Sequence, residues 1–330
     1  MKGFIRPDSL IGIYLNLKEA GSPSDFPQIM ADVQHKLLLD AFRGFPSPYD
    51  KYCKTSDVTD FKPHNREWLS EAEDLLEITP DSPYQNTPMK DRAYSIAAKT
   101  FGRLFMLLRK TVINDDLNAF QTIPAKFGRA AKRTLAKTAV QPLETNANAY
   151  DGNALFGTRS SLANQSSTAL TADATGIAAV QAGISAIKRA TDPDTGEIFG
   201  AIPKYLLVSP TLESTAKWLI SNTELIGSTS ALARNQLLDY NLEVLVEPML
   251  TAFPSRWYLL ADPSLVPTIE LAYLNGVREP ELFVAESKAL RASGGGRDDF
   301  GYEYDDINYK VRWDWGIAVA MYQGAYKGGS

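Results

Sequence analysis

The chain has 330 residues, with 34 Lys and Arg against 39 Asp and Glu, a formal net charge of −5 and 44% hydrophobic residues. The deficit of bases argues against a general nucleic-acid binder, which carries a strong basic excess, and no stretch reaches the roughly 18 uninterrupted apolar residues of a membrane span. One cysteine and two histidines exclude an internal disulfide and any Cys/His metal cluster and fit a reducing cytoplasm; no metal, cofactor or small-molecule ligand is expected.

In chain order, Met1 to Pro7 lacks the apolar core of a signal peptide. Residues 1–27 read as an arm. Ile11, Ile13, Tyr14, Leu15 and Leu17 form an apolar patch, and the Gly- and Pro-rich run 21–27 resists regular structure. Such a segment is either a terminal strand on its own domain or an arm laid across a neighbour. Residues 28–43 predict a short amphipathic helix with Ile29, Val33, Leu37 and Leu38 at helical spacing, carrying His35. Gly44 to Pro63 is broken. Cys53 falls in the polar, loop-like run Lys51–Asp57, and His64 in a loop beside Pro63. Residues 66–78 are mixed, with an acidic run at Glu71, Glu73, Asp74 and Glu77. Alternation over Ala93–Val112 predicts strands joined at Lys99-Thr100 or at Gly102. Residues 60–112 therefore suggest a two-stranded excursion with little core of its own, which needs support from a partner.

At Asn114, Asp115 and Asp116 the pattern changes, since these side chains suit a helix N-cap. The main helix is predicted over Ile123–Gln141, roughly 28 Å long, with Pro124 in its opening turn. One face is basic: Lys126, Arg129, Lys132, Arg133 and Lys137, with no acid from Leu117 to Leu143. That face is either solvated beside neighbouring acids, or a surface that meets an acidic partner, another subunit or packaged nucleic acid. Residues 146–168 read as loop. Thr171 or Asp173 caps a second amphipathic helix through Ile187, and Asp192–Gly196 is a turn. Strands are predicted at 205–208, 242–246 and 257–260, with a helix over 211–221, so that residues 170–275 form an α/β segment with its own core. Strands return at 269–274, 309–313 and 317–322. No Walker-type loop, GxSxG elbow or GxGxxG after a strand occurs, and Gly294-Gly295-Gly296 reads as a flexible loop.

The run from Leu108 to Phe120 (LRKTVINDDLNAF), continuing into Ile123-Pro124 and Gly128-Arg129-Ala130-Ala131, resembles the strand-to-helix junction of major capsid proteins of tailed bacteriophages. Their fold is the Hong Kong 97 type. The branch it is similar to is linked to a prohead protease and includes Mu-like major head subunits. Tyr150-Asp151-Gly152, the 205–213 strand and helix, Leu260–Pro263, the 269–276 run with Glu279-Pro280-Glu281, and the ending from Tyr309 to Tyr326 match the same branch in order. The resemblance covers about residue 90 to the C-terminus, and residues 1–90 align poorly.

The resemblance implies an α+β fold in five parts. Residues 1–45 would be an N-terminal arm and short helix, and 46–112 an E-loop β-hairpin reaching over an adjacent subunit. Residues 113–169 would hold the P-domain spine helix and the loop after it. Residues 170–270 would be an A-domain of mixed sheet and helices, and 271–330 the return to the P-domain strands. The implied function is a structural head protein, with no catalytic residue, that closes hexamers and pentamers into an icosahedral shell. Its setting would be the virion, assembled in the host cytoplasm. Implied partners are other copies, portal, scaffold, protease and cement proteins, and non-specific contact with double-stranded DNA, with no membrane. The basic face would then look toward another subunit or the lumen. Two other functions compete: an encapsulin-like compartment around a cargo enzyme, and a hydrolase using Cys53 as nucleophile and His64 as base.

Overall fold

The computed structural model describes residues 26–78, 84–87, 89–108, 110, 119–159, 161–222, 235–285 and 306–329. In chain order the elements are α1 (Phe26–Arg43), α2 (Tyr49–Tyr52), β1 (Cys53–Val58), β2 (His64–Leu69), β3 (Asp91–Ile96) and β4 (Lys99–Leu108). Then come α3 (Ala119–Thr145), α4 (Ala174–Lys188), β5 (Pro203–Val208), α5 (Glu213–Ser221), β6 (Glu243–Val246) and β7 (Trp257–Ala261). The series ends with β8 (Ile269–Leu274), β9 (Glu281–Val284), β10 (Asp306–Val319) and β11 (Ala325–Gly328). Contacts divide the chain into two compact units: residues 1–45, 101–132 and 279–313, and residues 46–100, 133–278 and 314–330.

In the first unit α1 buries a line of residues four apart: Gln34, Leu38 and Phe42. The predicted line differed, for Val33 is exposed and the buried row includes a glutamine. Gln34 is tolerated there because its amide donates to Tyr309 Oη at 3.1 Å. Phe42 meets Trp313 edge to face at a centroid distance of 5.2 Å. Phe105 of β4 stacks between Phe127 of α3 (4.6 Å) and Tyr309 of β10 (4.8 Å). β9 pairs antiparallel with residues 309–312 of β10.

In the second unit a four-stranded sheet has the order β11-β7-β5-β6, with β5 and β6 parallel and β7 antiparallel to both β5 and β11. The continuous apolar runs of β5 and β7 are buried, as a strand covered on both faces requires. α4 and α5 pack on this sheet through Ile177, Val180, Ile184, Ala216 and Leu219. Asp173 is the cap of α4: its carboxylate accepts from Gly176 N at 2.9 Å, while the Thr171 hydroxyl donates to it. Elsewhere in this unit β1 lies parallel to β8, and β8 pairs antiparallel with residues 315–319 of β10. β2 and β3 form a hairpin in register from His64↔Ile96 to Leu69↔Asp91.

Five further sequence expectations change. The run 51–57 is not a loop: Cys53 begins β1, whose partner β8 is fully buried over 269–273, so tertiary pairing overrides local polarity. His64 likewise lies in β2. The break between β3 and β4 falls at Ala97-Ala98, where Ala98 and the neighbouring Ile96 are buried with Val58 and Ala272. α3 extends four residues beyond each predicted end and contains both Pro124 and Pro142. Each proline removes one ladder donor, and burial of Leu135, Val140 and Leu143 sustains the helix regardless. The strands predicted at 309–313 and 317–322 merge into one that stops at Val319, with Tyr309, Val311, Trp313 and Trp315 buried at alternate positions.

Candidate functional site

Cys53 and His64 do not assemble a nucleophile and base. Cys53 is 2% exposed, and burial pushes its thiol well above the usual range, with Asp50 and Glu247 adding to the shift. A reactive cysteine needs the opposite environment, electropositive and accessible. No hydrogen bond joins it to His64, whose Nε2 lies 2.9 Å from Asp60 Oδ1. Among the described residues no group of His, Cys, Asp or Glu could hold a metal, and no helix is long and apolar enough to cross a membrane. Native protein is expected to leave Cys53 unlabelled by iodoacetamide, with stoichiometric labelling in denaturant. Rapid labelling of the native chain, read by mass spectrometry, would contradict a core role.

The candidate features lie around the β2–β3 hairpin. Its inner end is held by Glu270 of β8, whose side chain is 1% exposed. That carboxylate accepts from Arg66 Nε at 3.0 Å, from Ser56 Oγ and from Tyr94 Oη. Burial and the Glu270 hydrogen bond raise the Tyr94 phenol above its ordinary range. The outer end is bolted to the Asp192–Gly196 turn. Arg92 donates to Asp192 Oδ1 at 3.0 Å, to Tyr150 Oη at 2.7 Å and to Asp194. Asp192 also accepts the backbone amide of Glu71 at 3.1 Å, and Lys90 pairs with Asp194. Trp68 meets Tyr150 edge to face at 4.9 Å. A two-stranded ribbon, marginal alone, is thereby fixed at its root.

Beyond the root, residues 70–78 have no regular structure, and their side chains from Glu71 onward are exposed. Leu75 is 100% exposed and Leu76 61%. These two leucines stand among the acids Glu71, Glu73, Asp74 and Glu77.

The predicted basic face divides. Lys126 and Arg129 are exposed in the first unit, Arg133 and Lys137 in the second. Lys132 is buried, with its ammonium 5.0 Å from the centre of the Phe42 ring. The predicted cap residues Asn114, Asp115 and Asp116 lie outside the described residues. Sequence reasoning missed Arg66, Arg92 and Glu270. The one local signal was the Asp192-Pro193-Asp194 turn, whose carboxylates the hairpin uses.

Residues 93–328 match the family described as phage capsid protein. No curated protein matches the chain. Among solved structures, the chain is similar to one from Microbacterium phage Oxtober96, with a TM-score of 0.54 at 9% identity, covering 86% of this chain and 90% of that one. A second is the mature capsid of bacteriophage PhiM1, with a TM-score of 0.53 at 10% identity, covering 86% and 87%. A third is a virus-like particle from Pyrococcus furiosus, with a TM-score of 0.51 at 9% identity, covering 90% and 97%. At these identities the likeness speaks for the α+β capsid fold. The family match spans most of the chain, and the protein belongs to the phage capsid protein family, as a structural shell subunit with the Hong Kong 97-type fold.

Proposed function

We propose that this chain is the major head subunit that closes hexamers and pentamers into an icosahedral shell around phage double-stranded DNA. Portal, scaffold, protease and cement proteins would be its other partners, with assembly in the host cytoplasm. The observation that carries the reading is the hairpin: a fixed root presenting fully exposed Leu75 between acids. Such a tip has a purpose where a neighbour buries it, and a closed lattice supplies a neighbour to every copy. In this reading residues 1–45 serve as the arm, 46–112 as the E-loop region and 113–169 as the spine helix and its loop. Residues 170–270 serve as the A-domain and 271–330 as the returning strands. Electron microscopy of the purified protein tests it: uniform closed particles are expected, and a permanently monomeric chain would overturn it.

Deleting residues 1–27 is expected to abolish closed particles while leaving a soluble, folded subunit, because the arm's apolar residues would be buried against a neighbour. Circular dichroism and sedimentation velocity separate the two effects. Unaltered shells would remove the arm from assembly.

A second reading keeps the shell and changes its contents. The similarity to the Pyrococcus furiosus virus-like particle supports an encapsulin-like compartment. Particles from the native source that hold protein cargo in place of DNA would favour it.

A further inference from the structure

We infer that Arg256 and Lys327 together form a binding site for a free phosphate dianion. The site lies wholly within the second unit, on the sheet face that carries Tyr258, whose hydroxyl reaches Leu143 O near the end of α3.

Strand register brings the two cations together. Lys327 of β11 stands directly opposite Tyr258 of β7, and Arg256 lies two residues before Tyr258. Opposite residues share a sheet face, and so do residues two apart along a strand. Arg256 and Lys327 are therefore diagonal cross-strand neighbours, a separation of about 7–8 Å that long side chains bridge.

Neither charge is met by a carboxylate among the described residues. The Arg256 guanidinium stacks on Phe253, with its carbon 3.3 Å from the ring centre. Its Nη1 makes one long hydrogen bond, 3.4 Å, to Glu144 O. Its Nε is buried and makes none. A buried donor left unmatched is costly, and a charged one more so. Lys327 Nζ rests 5.6 Å from the centre of the Phe156 ring. Burial and the Arg256 charge hold this ammonium below its ordinary range. Glu144 directs its own carboxylate to the Ala252 amide at 2.8 Å. Two half-buried like charges with no counter-charge are a net cost, which a bound anion offsets.

The ligand's chemistry follows. The stack on Phe253 fixes the guanidinium plane and leaves donors along its edge, a fork that oxyanions match. A carboxylate sets one negative charge against two positive ones. A phosphate dianion balances both, and its tetrahedral oxygens accept from guanidinium and ammonium together. Both cations are only partly exposed. That suits a small ion, whereas a duplex is met by extended sets of exposed bases.

Titration of the full chain with inorganic phosphate at fixed ionic strength tests this, followed by phosphorus NMR and calorimetry. Saturable binding of one phosphate per chain is expected, with a Kd of about 1 mM and added hydrogen-exchange protection in β7 and β11. Lys327→Met keeps the contact with Phe156 and should weaken binding about tenfold or more. Arg256→Gln should do the same. Arg256→Lys keeps the charge but loses the fork, and should weaken binding about threefold or more. Arg189→Gln, at an exposed base elsewhere in the unit, should leave it unchanged. Hydrogen exchange of β5 and β6 without phosphate checks that each variant is folded, and the conservative Lys327→Met and Arg256→Lys serve if Arg256→Gln is not. Failure of the parent chain to bind phosphate saturably would overturn the site, as would binding that all three site variants retain. So would displacement of the phosphate by a blunt DNA duplex with no terminal phosphate, which assigns the two cations to nucleic acid.

Discussion

Replacing Arg92 with alanine is expected to loosen the β2–β3 hairpin by about 3 kcal/mol, the lower end of the cost of removing one partner from a buried ion pair. The Arg92 side chain is 9% exposed, and that of Asp192 is 0% exposed. Without the guanidinium, Asp192 keeps a carboxylate in the interior with only amide donors, from Asp194 at 2.8 Å and Glu71 at 3.1 Å. Those two amides are why the lower end applies. Tyr150 loses the Arg92 donor but still accepts from Gln323 at 2.9 Å, so its loss is small. Asp192→Asn keeps an acceptor oxygen for Arg92 and the Asp194 amide but turns its NH2 toward the Glu71 amide, and should cost about half as much, within the range for a hydrogen bond to a charged group. Hydrogen exchange of the β2 and β3 amides in the unassembled subunit reads the effect locally, which avoids treating a chain of two units as one cooperative transition. Protection in β5 and β7 should hardly change. A loss below about 1 kcal/mol in the hairpin would mean that the Glu270 end holds it alone.

Under the proposed shell reading, in which a neighbour buries the hairpin tip, this is a test of more than stability. A tip that must find a neighbour gains from a fixed root, since ordering it on docking costs entropy. Arg92→Ala should therefore slow shell formation even where the subunit is fully folded, and hydrogen exchange and particle yield should fall together.

Much of the second unit could be read from its sequence, for a physical reason. β5 and β7 are short apolar runs, and α4 carries its apolar residues at steps of three and four after a capping aspartate. These patterns are local. β1 was not legible, because its residues are polar and the burial that makes it a strand comes from β8, more than 200 residues later. Nor was the bolt at Arg92, since its partners lie 100 and 102 residues away and no spacing rule connects them. The basic stripe was legible as a pattern, but Lys132 belongs to it only in the sequence. Phe42, contributed by a distant helix, draws that one ammonium inward. The prolines of α3 mislead in the same way: local rules end a helix where packing of Leu135 and Leu143 continues it.

Gly128→Ala is the second large effect expected, and its sign runs against propensity. Alanine in the middle of a helix ordinarily gains up to about 1 kcal/mol over glycine. Here the added methyl would sit 2.1 Å from the carbonyl oxygen of Leu38, 3.0 Å from its carbon and 3.1 Å from Phe42 N. All three are backbone atoms of α1, so no rotamer change relieves the clash, and α1 must move away from α3. Movement weakens what lies along that seam: fully buried Leu38, the Phe42–Trp313 contact, and the Gln34 bond to Tyr309. A net loss of about 3 kcal/mol is expected, the upper end for overpacking, visible as lost hydrogen-exchange protection of the α1 and α3 amides in the unassembled subunit. Leu38→Ala distinguishes this cause from side-chain crowding. It shortens a side chain but leaves the carbonyl in place, so it cannot rescue Gly128→Ala, and the double variant should be less stable than either single one. Rescue by Leu38→Ala, or a Gly128→Ala chain more stable than the parent, would show that the two helices do not cross backbone to backbone at this glycine.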